Sequence, residues 1–306
     1  MKSSNSIIFP DEFPSEEKML DVLKITIEKS WHVDLNIEDI NNWLNNFNGI
    51  IFDPPAEKKL ALWLLCNFTY YNEDEVKYLC GYLFRQLFHQ LLIDNNLDTE
   101  QDAENCIVNC AFTSIGNPSE SGGMILYHFR QEANLDLERF IFPTEIENAS
   151  QKDIICIDDV MLSGGTASRF FYDHRDALQN KEVYYIALIT TKSAILKLNE
   201  LGIKTIYCII LDERNQAFSP ESLIFYKYPG LLNSAKELAE GYGKIIEPNK
   251  PLGYKQGQYC FGLYYNTPNN TLPIFWSTNN DWIPIFPRKE KYQNARQAHR
   301  QYGYFI

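Results

Sequence analysis

One segment of the sequence combines residue types that could bind a phosphorylated sugar. An apolar run from Ile154 to Ile157 predicts a buried strand, and Asp158 and Asp159 follow it, where open α/β sheets bind ligands. The next residues predict a turn into a helix, whose backbone N–H groups suit an oxyanion. That turn consists of Leu162, Ser163, Gly164, Gly165 and Thr166. Because carboxylates bind hydroxyls or a divalent cation rather than phosphate, the acidic pair and the turn together suit a ribose 5-phosphate.

The order of strand, Asp-Asp and Ser-Gly-Gly-Thr resembles the signature of type I phosphoribosyltransferases, with Ser163 where Thr is commoner. The resemblance implies an enzyme acting at ribose C1, in which Asp158 and Asp159 hold the ribose hydroxyls of phosphoribosyl pyrophosphate (PRPP). It also implies that the turn from Leu162 to Thr166 holds the 5-phosphate and that Mg²⁺ accompanies PRPP, without assigning a direct protein ligand to the metal. The rival motifs G-x-x-x-x-G-K-[ST] and a post-strand G-x-G-x-x-G do not occur in the sequence.

In this family an early loop binds pyrophosphate through its backbone amides. The loop after the predicted strand Ile107–Ile115 matches that position, with Ser119, Glu120, Ser121 and Gly122 as candidate residues. A plain strand-to-helix turn is the alternative, and this loop lacks the basic residue that the family often has. Lys192 could supply the missing charge or face solvent, and Asp212 could lie near Mg²⁺ or cap a helix.

Strands that alternate with helices between residues 105 and 213 predict an α/β fold with a parallel sheet flanked by helices. We expect a helical N-terminal region over residues 1–104 and a phosphoribosyltransferase-like core over 105–250. An aromatic C-terminal extension over 251–306 would complete the domain or form a hood. A marginal strand is predicted over residues 138–146, and a strand interrupted by a turn over 259–276.

Composition limits the class of protein. The net charge of −12 argues against a protein that coats nucleic acid, because phosphate neutralisation needs Lys and Arg. No apolar run approaches the ~20 residues of a membrane span, and the N-terminus is too polar and acidic for a secretory signal. The cysteines and histidines show neither a disulfide framework nor metal-ligand spacing. We therefore expect a cytoplasmic protein without a membrane partner.

Two aromatic segments, Tyr265–Trp276 and Trp282–Arg288, are not typical of nucleotide-salvage enzymes. They resemble the C-terminal signature of bacterial phosphoribosyltransferase-like proteins of anti-phage conflict systems, some of them encoded beside retron reverse transcriptases. This resemblance implies a toxic effector that an inhibitory protein or nucleic acid holds inactive. Two alternatives stay open: the aromatic residues could fill a core rather than form a base-stacking wall, and the protein could be a non-catalytic sensor of PRPP or a nucleotide.

The C-terminal tail is basic on an acidic protein. From Arg288 onward it holds five Lys or Arg against one Glu, so it is the candidate footprint for a polyanion, with a solvated surface helix as the alternative. The sequence does not set the oligomeric state, and a homo-oligomer stays one option.

Overall fold

The computed structural model describes residues 7–97, 99–116 and 121–288, and it confirms the α/β prediction. Its strands are β1 (Thr69–Tyr71), β2 (Cys110–Ser114), β3 (Asp153–Met161), β4 (Glu182–Thr191), β5 (Lys204–Leu211) and β6 (Phe261–Leu263). A parallel sheet has the strand order β2-β3-β4-β5, and β1 and β6 form a separate parallel pair. Parallel strands align their carboxyl ends, so the loops after β2 and β3 lie at one edge of the sheet.

Helices cover both faces of the four-stranded sheet. Helices α4 and α6 pack on one face, whereas α7 and α8 pack on the other. The helices are α1 (Glu16–Thr26), α2 (Ile37–Leu44), α3 (Pro54–Cys66), α4 (Glu73–Asn95), α5 (Glu100–Val108), α6 (Ser121–Glu132), α7 (Gly165–Asp173), α8 (Lys192–Asn199), α9 (Leu232–Ile246) and α10 (Pro273–Trp276). Because both faces are covered, β3 and β4 are buried along nearly their whole length.

Local sequence explains where the helices begin. Asn72 accepts from the N–H of Glu75 at 2.9 Å, and the Glu75 carboxylate accepts from the N–H of Asn72 at 2.9 Å, a reciprocal box that starts α4. Asp53 caps α3, whose first turn holds two prolines that lose no intrahelical hydrogen bond there. Helix α4 can then lay its buried residues against β4 and β5.

The N-terminal helices and the C-terminal extension share a second hydrophobic core. Trp43 of α2 stacks on Phe275 of α10 with ring centroids 5.7 Å apart, and its indole N–H donates to the carbonyl of Ile274 at 2.7 Å. The pairing of β1 with β6 joins the same two regions, with Thr69 opposite Phe261. The extension is therefore packed in place by the N-terminal region, while the predicted domain boundaries stay a prediction.

A buried carboxylate fixes the loop before α3. Glu57 is fully buried and accepts the N–H groups of Gly49, Ile51 and Phe52 at 2.7–2.9 Å. The hydroxyl of Tyr242 in α9 donates to the same carboxylate at 2.5 Å. These four donors compensate the cost of removing the carboxylate from water, and they tie α3 to α9.

Three local predictions were wrong. The strand expected from Ile107 begins only at Cys110, because α5 continues through Val108. The strand expected over 138–146 is replaced by two 3₁₀ turns, the second of which begins at Pro143, a residue without an N–H for a ladder. The strand expected over 259–276 is confined to β6, and Pro273 starts a short helix.

Within the described ranges, no helix is both long enough and apolar enough to cross a bilayer.

Candidate functional site

A cleft of about 780 Å³ opens at the carboxyl end of β3. Asp158 and Asp159 line it, together with the whole predicted turn Leu162–Thr166 and Ser121 at the start of α6. The structure thus brings the two carboxylates, the turn and one residue of the early loop to the same cleft. This is the edge at which parallel α/β sheets bind their ligands.

The two carboxylates are held by matching sets of hydrogen bonds. The N–H of Asp159 donates to Oδ1 of Asp158 at 2.9 Å, and the N–H of Val160 donates to Oδ1 of Asp159 at 2.8 Å. The hydroxyl of Tyr185 donates to Oδ2 of Asp158 at 2.9 Å, and that of Tyr265 donates to Oδ2 of Asp159 at 3.1 Å. Each aspartate thus accepts one backbone N–H and one phenol hydroxyl, and both residues line the cleft.

The environment of the pair disfavours two negative charges. Burial, and then the neighbouring charge of Asp159, raise the pKa of Asp158 well above its usual range, while the hydrogen bond from Tyr185 offsets part of the rise. Burial and the nearby carboxylates also raise the pKa of Tyr185 and of Tyr265. Both phenols therefore stay protonated at neutral pH and remain hydrogen-bond donors.

The predicted phosphate turn has the geometry of an anion site. Gly164 adopts φ +63°, a left-handed conformation that costs other residues roughly 1–2 kcal/mol. It precedes α7 and offers no side chain to cap the helix. The first N–H groups of α7, on Gly165, Thr166 and Ala167, have no intrahelical partner, and all three residues line the cleft.

Two threonines of β4 hold the beginning of this turn. Thr190 donates its hydroxyl to the carbonyl of Met161 at 3.0 Å, and Thr191 donates to the carbonyl of Leu162 at 2.9 Å. Both threonines are buried, so the turn is attached to a central strand of the sheet rather than left as a free surface loop. A rigid turn presents its N–H groups to phosphate without an ordering cost on binding.

The early loop is described only at its end. Ser119 and Glu120 lie outside the described residues, whereas Ser121 and Gly122 begin α6. Gly122 is buried, and a Cβ there would lie 2.9 Å from the carbonyl oxygen of Ile115, so its packing against the end of β2 requires glycine. Of the two described residues, Ser121 lines the cleft, and Gly122 packs against Ile115 at the end of β2.

Two further candidate residues lie away from the cleft lining. Lys192 is exposed as the first residue of α8, and Asp212 pairs with Arg214 at 2.7 Å while capping a 3₁₀ turn. Within the described part of the chain, the cations that line the cleft are instead Arg169 and Arg288. Arg169 follows the phosphate turn by one helical turn, and helical side chains lean toward the N-terminus, which directs it back to that turn.

The C-terminal extension forms the wall of the cleft opposite Asp158, Asp159 and the glycine turn. Tyr254, Tyr265, Asn266, Pro268, Asn269 and Asn270 line the cleft. Phe275 is instead buried in the second core, and Trp276 is also buried. Most of the aromatic segment therefore fills a core, and Tyr265 is the member that reaches the carboxylates. Of the basic tail, Arg288 lines the cleft, and the residues after it lie outside the described ranges.

Sequence reasoning missed Tyr185 and Arg169. Tyr185 belongs to a Tyr-Tyr pair on β4. Because consecutive strand residues face opposite sides, this pair predicts one tyrosine hydroxyl on each face of the sheet, and that pattern could have identified Tyr185. Arg169 was readable as the first cation after the phosphate turn, at a helical spacing that brings it to the same end of α7.

The cleft offers oxygen donors of the kind that Mg²⁺ binds. Mg²⁺ is commonly bound through one or two carboxylates together with substrate phosphates, and Asp158 and Asp159 provide carboxylates beside the phosphate turn. Elsewhere in the described ranges, no three His, Cys, Asp or Glu side chains converge as a metal cage. The residues present fit a Mg²⁺ that arrives with a phosphorylated substrate.

A parallel sheet with an Asp pair and a glycine turn at the end of one strand defines a phosphoribosyltransferase-like protein. The chain belongs to the PRTase-CE family, whose model matches residues 40–288, and this confirms the predicted phosphoribosyltransferase superfamily. No curated protein matches the chain at a significant level.

Two solved structures were compared with the fold. An orotate phosphoribosyltransferase from Aeropyrum pernix aligns with 11% identity over 33% of this chain and 58% of its own, at a TM-score of 0.25. A Helicobacter pylori xanthine-guanine-hypoxanthine phosphoribosyltransferase aligns with 14% identity over 47% of this chain and 89% of its own, at a TM-score of 0.28. The chain thus spans little more than half the length of the first of these proteins.

Proposed function

We propose that this protein binds PRPP or a ribose 5-phosphate nucleotide in the cleft and transfers or cleaves at ribose C1. One observation carries the proposal: the uncapped first turn of α7 and the Asp158–Asp159 pair line the same cleft. An anion site beside two carboxylates suits a ligand with phosphate at one end and vicinal hydroxyls next to it.

In this proposal, different residues bind the phosphate and the ribose of the substrate. The turn from Leu162 to Thr166 holds the 5-phosphate, while Asp158 and Asp159 accept hydrogen bonds from the ribose hydroxyls. As the bond at C1 breaks, positive charge develops on the sugar ring, and the two carboxylates stabilise it electrostatically. Mg²⁺, bound with the substrate, supplies neutralisation of the leaving pyrophosphate.

A non-catalytic sensor of PRPP or a nucleotide is the second candidate function. The observation that favours it is the early loop from residue 117 to 123, which contains no basic residue for pyrophosphate. Pyrophosphate release from PRPP with Mg²⁺, measured with nitrogenous bases, nucleotides and RNA as acceptors, separates the two. Release that depends on Asp158 and Asp159 supports an enzyme, and tight binding without release supports a sensor.

Arg169 should compensate for the lack of a basic residue in the early loop. We expect Arg169→Gln to weaken PRPP binding on the order of 10-fold, since a charge-assisted hydrogen bond contributes roughly 1.5–3 kcal/mol. The matched control is Arg175→Gln, an exposed arginine after the same helix that pairs with Asp176 and does not line the cleft. Equal affinities for PRPP in both variants, measured by calorimetry, would remove Arg169 from the site.

We further propose, from the C-terminal sequence resemblance, a cytoplasmic effector of an anti-phage system that a partner protein or nucleic acid holds inactive. Expression without that partner should then slow bacterial growth, because the cleft is open to substrate. Asp158→Ala/Asp159→Ala should relieve the growth defect at an equal level of soluble protein. Toxicity that persists in this variant would separate the harm from phosphoribosyl chemistry and defeat the effector proposal.

A further inference from the structure

Two tyrosines from distant parts of the chain meet the acidic pair in the same way. Tyr185 lies on β4 and Tyr265 lies just after β6, yet each donates its hydroxyl to the Oδ2 atom of one aspartate. The Oδ1 atom of each aspartate is held by the next backbone N–H. Each carboxylate plane is therefore fixed at both oxygens.

The two tyrosines come from opposite layers of the fold. Successive strand residues point to opposite faces, so Asp158 and Asp159 take their tyrosine partners from different faces of the sheet. The ring of Tyr185 packs in the core beneath α7 and α8, on one face of the sheet. The ring of Tyr265 packs in the core formed with α4 and α6, on the other face.

Tyr265 is itself held in place by the C-terminal extension. It is only 8% exposed, and it lies in a tight turn in which the N–H of Leu263 donates to the carbonyl of Asn266 at 2.9 Å. Thr267, which follows this turn, donates its buried hydroxyl to the carbonyl of Phe286 at 3.0 Å. The position of the phenol is thus determined by contacts outside the cleft.

We propose that Tyr185 and Tyr265 are positioning residues that aim the carboxylates of Asp158 and Asp159 at the ribose hydroxyls. This inference rests on the proposed function, because it assumes that the cleft binds a ribose phosphate. The tyrosines act through the aspartates, and both aspartates line the cleft. The C-terminal extension then contributes to the sugar site through the hydroxyl of Tyr265.

The chain offers matched controls for both tyrosines. Tyr184 precedes Tyr185 on β4 and donates to Asp94 at 2.7 Å on the other face of the sheet. Tyr264 precedes Tyr265 and hydrogen-bonds His128 at 2.7 Å. Phenylalanine at either control position removes one hydrogen-bonded hydroxyl from the same local backbone without touching the acidic pair.

The test compares ligands with and without ribose hydroxyls by calorimetry. Tyr185→Phe and Tyr265→Phe should each weaken ribose 5-phosphate binding on the order of 10-fold, weaken 2-deoxyribose 5-phosphate binding less, and leave the affinity for inorganic phosphate unchanged. Tyr184→Phe and Tyr264→Phe should bind all three ligands as the unaltered protein does. The loss in Tyr265→Phe should also largely disappear in an Asp159→Asn background, because the two residues act as one unit.

The outcomes separate this inference from the proposed function. Failure of the unaltered protein to bind ribose 5-phosphate overturns the proposed function, and the positioning role with it. Binding by the unaltered protein, with equal losses for ribose 5-phosphate and inorganic phosphate in Tyr265→Phe, indicates a general structural role and overturns only the positioning role. Unchanged affinity for ribose 5-phosphate in both tyrosine variants has the same consequence.

Discussion

Replacing both aspartates by asparagine should lower the affinity for PRPP with Mg²⁺ by about 10²–10⁴-fold. Each charge-assisted hydrogen bond to a carboxylate contributes roughly 1.5–3 kcal/mol, so the loss of both amounts to about 3–6 kcal/mol. Asparagine keeps the shape of the side chain: its oxygen can accept the backbone N–H, and its NH2 group can donate to the tyrosine oxygen. The effect of Asp158→Asn/Asp159→Asn on binding, measured by calorimetry, therefore reports the loss of the two carboxylates in side chains of unchanged shape.

The same variant should not lose stability at neutral pH. Burial and the charge of Asp159 raise the pKa of Asp158 in the folded protein. At any pH above the pKa that Asp158 has in the unfolded chain, its raised pKa therefore lowers the free energy of unfolding. Removing both ionisable groups relieves that cost, and the thermal midpoint at pH 7 should equal or exceed that of the unaltered protein.

A control for net charge is provided by α1. Glu16→Gln/Glu17→Gln removes two charges from adjacent exposed carboxylates outside the cleft and should leave PRPP binding unchanged. If the Asp158/Asp159 variant binds PRPP as tightly as this control does, the ribose site lies elsewhere.

A valine at Gly165 should reduce the binding of PRPP and of inorganic phosphate at least about 100-fold while the fold stays intact. Gly165 is the first residue of α7, and the nearest atom to a Cβ there is Oγ of Ser163 at 3.6 Å, so the Cβ meets no other part of the protein. The added side chain would occupy the space over the first-turn N–H groups and cost several hydrogen bonds to phosphate. The expected change in folding free energy is within about 0.5 kcal/mol, as for other substitutions outside the core.

Gly230→Val is the matched control. Gly230 is exposed in a short 3₁₀ turn, a Cβ added to it would have no neighbouring atom within 4 Å, and the residue does not line the cleft. Phosphate binding by each variant is measured by calorimetry, and stability by thermal unfolding. A folded Gly165→Val protein that binds phosphate as well as Gly230→Val does would place the phosphate site outside the turn.

Much of the candidate site was predictable because its residues are close in the sequence. Asp158, Asp159 and the turn up to Thr166 lie within nine residues, and an apolar strand before them and a helix after them place their side chains at one edge of the sheet. Local periodicity and glycine chemistry also predicted the parallel sheet, because each βαβ unit is encoded by a continuous stretch of chain.

The partners of these residues depend on long-range packing. Tyr265 is 106 positions from Asp159, and its hydroxyl reaches the carboxylate because β6 pairs with β1 and the extension packs against the N-terminal helices. Packing also decided that Arg288 of the C-terminal segment lines the cleft, whereas Lys192 is exposed on α8. The sequence alone thus determined the acidic pair, the glycine turn beside it and the α/β class through local pattern. Tertiary packing decided the orientation of the carboxylates and the opposite wall of the cleft, because contacts between distant segments leave no periodic signal in the chain.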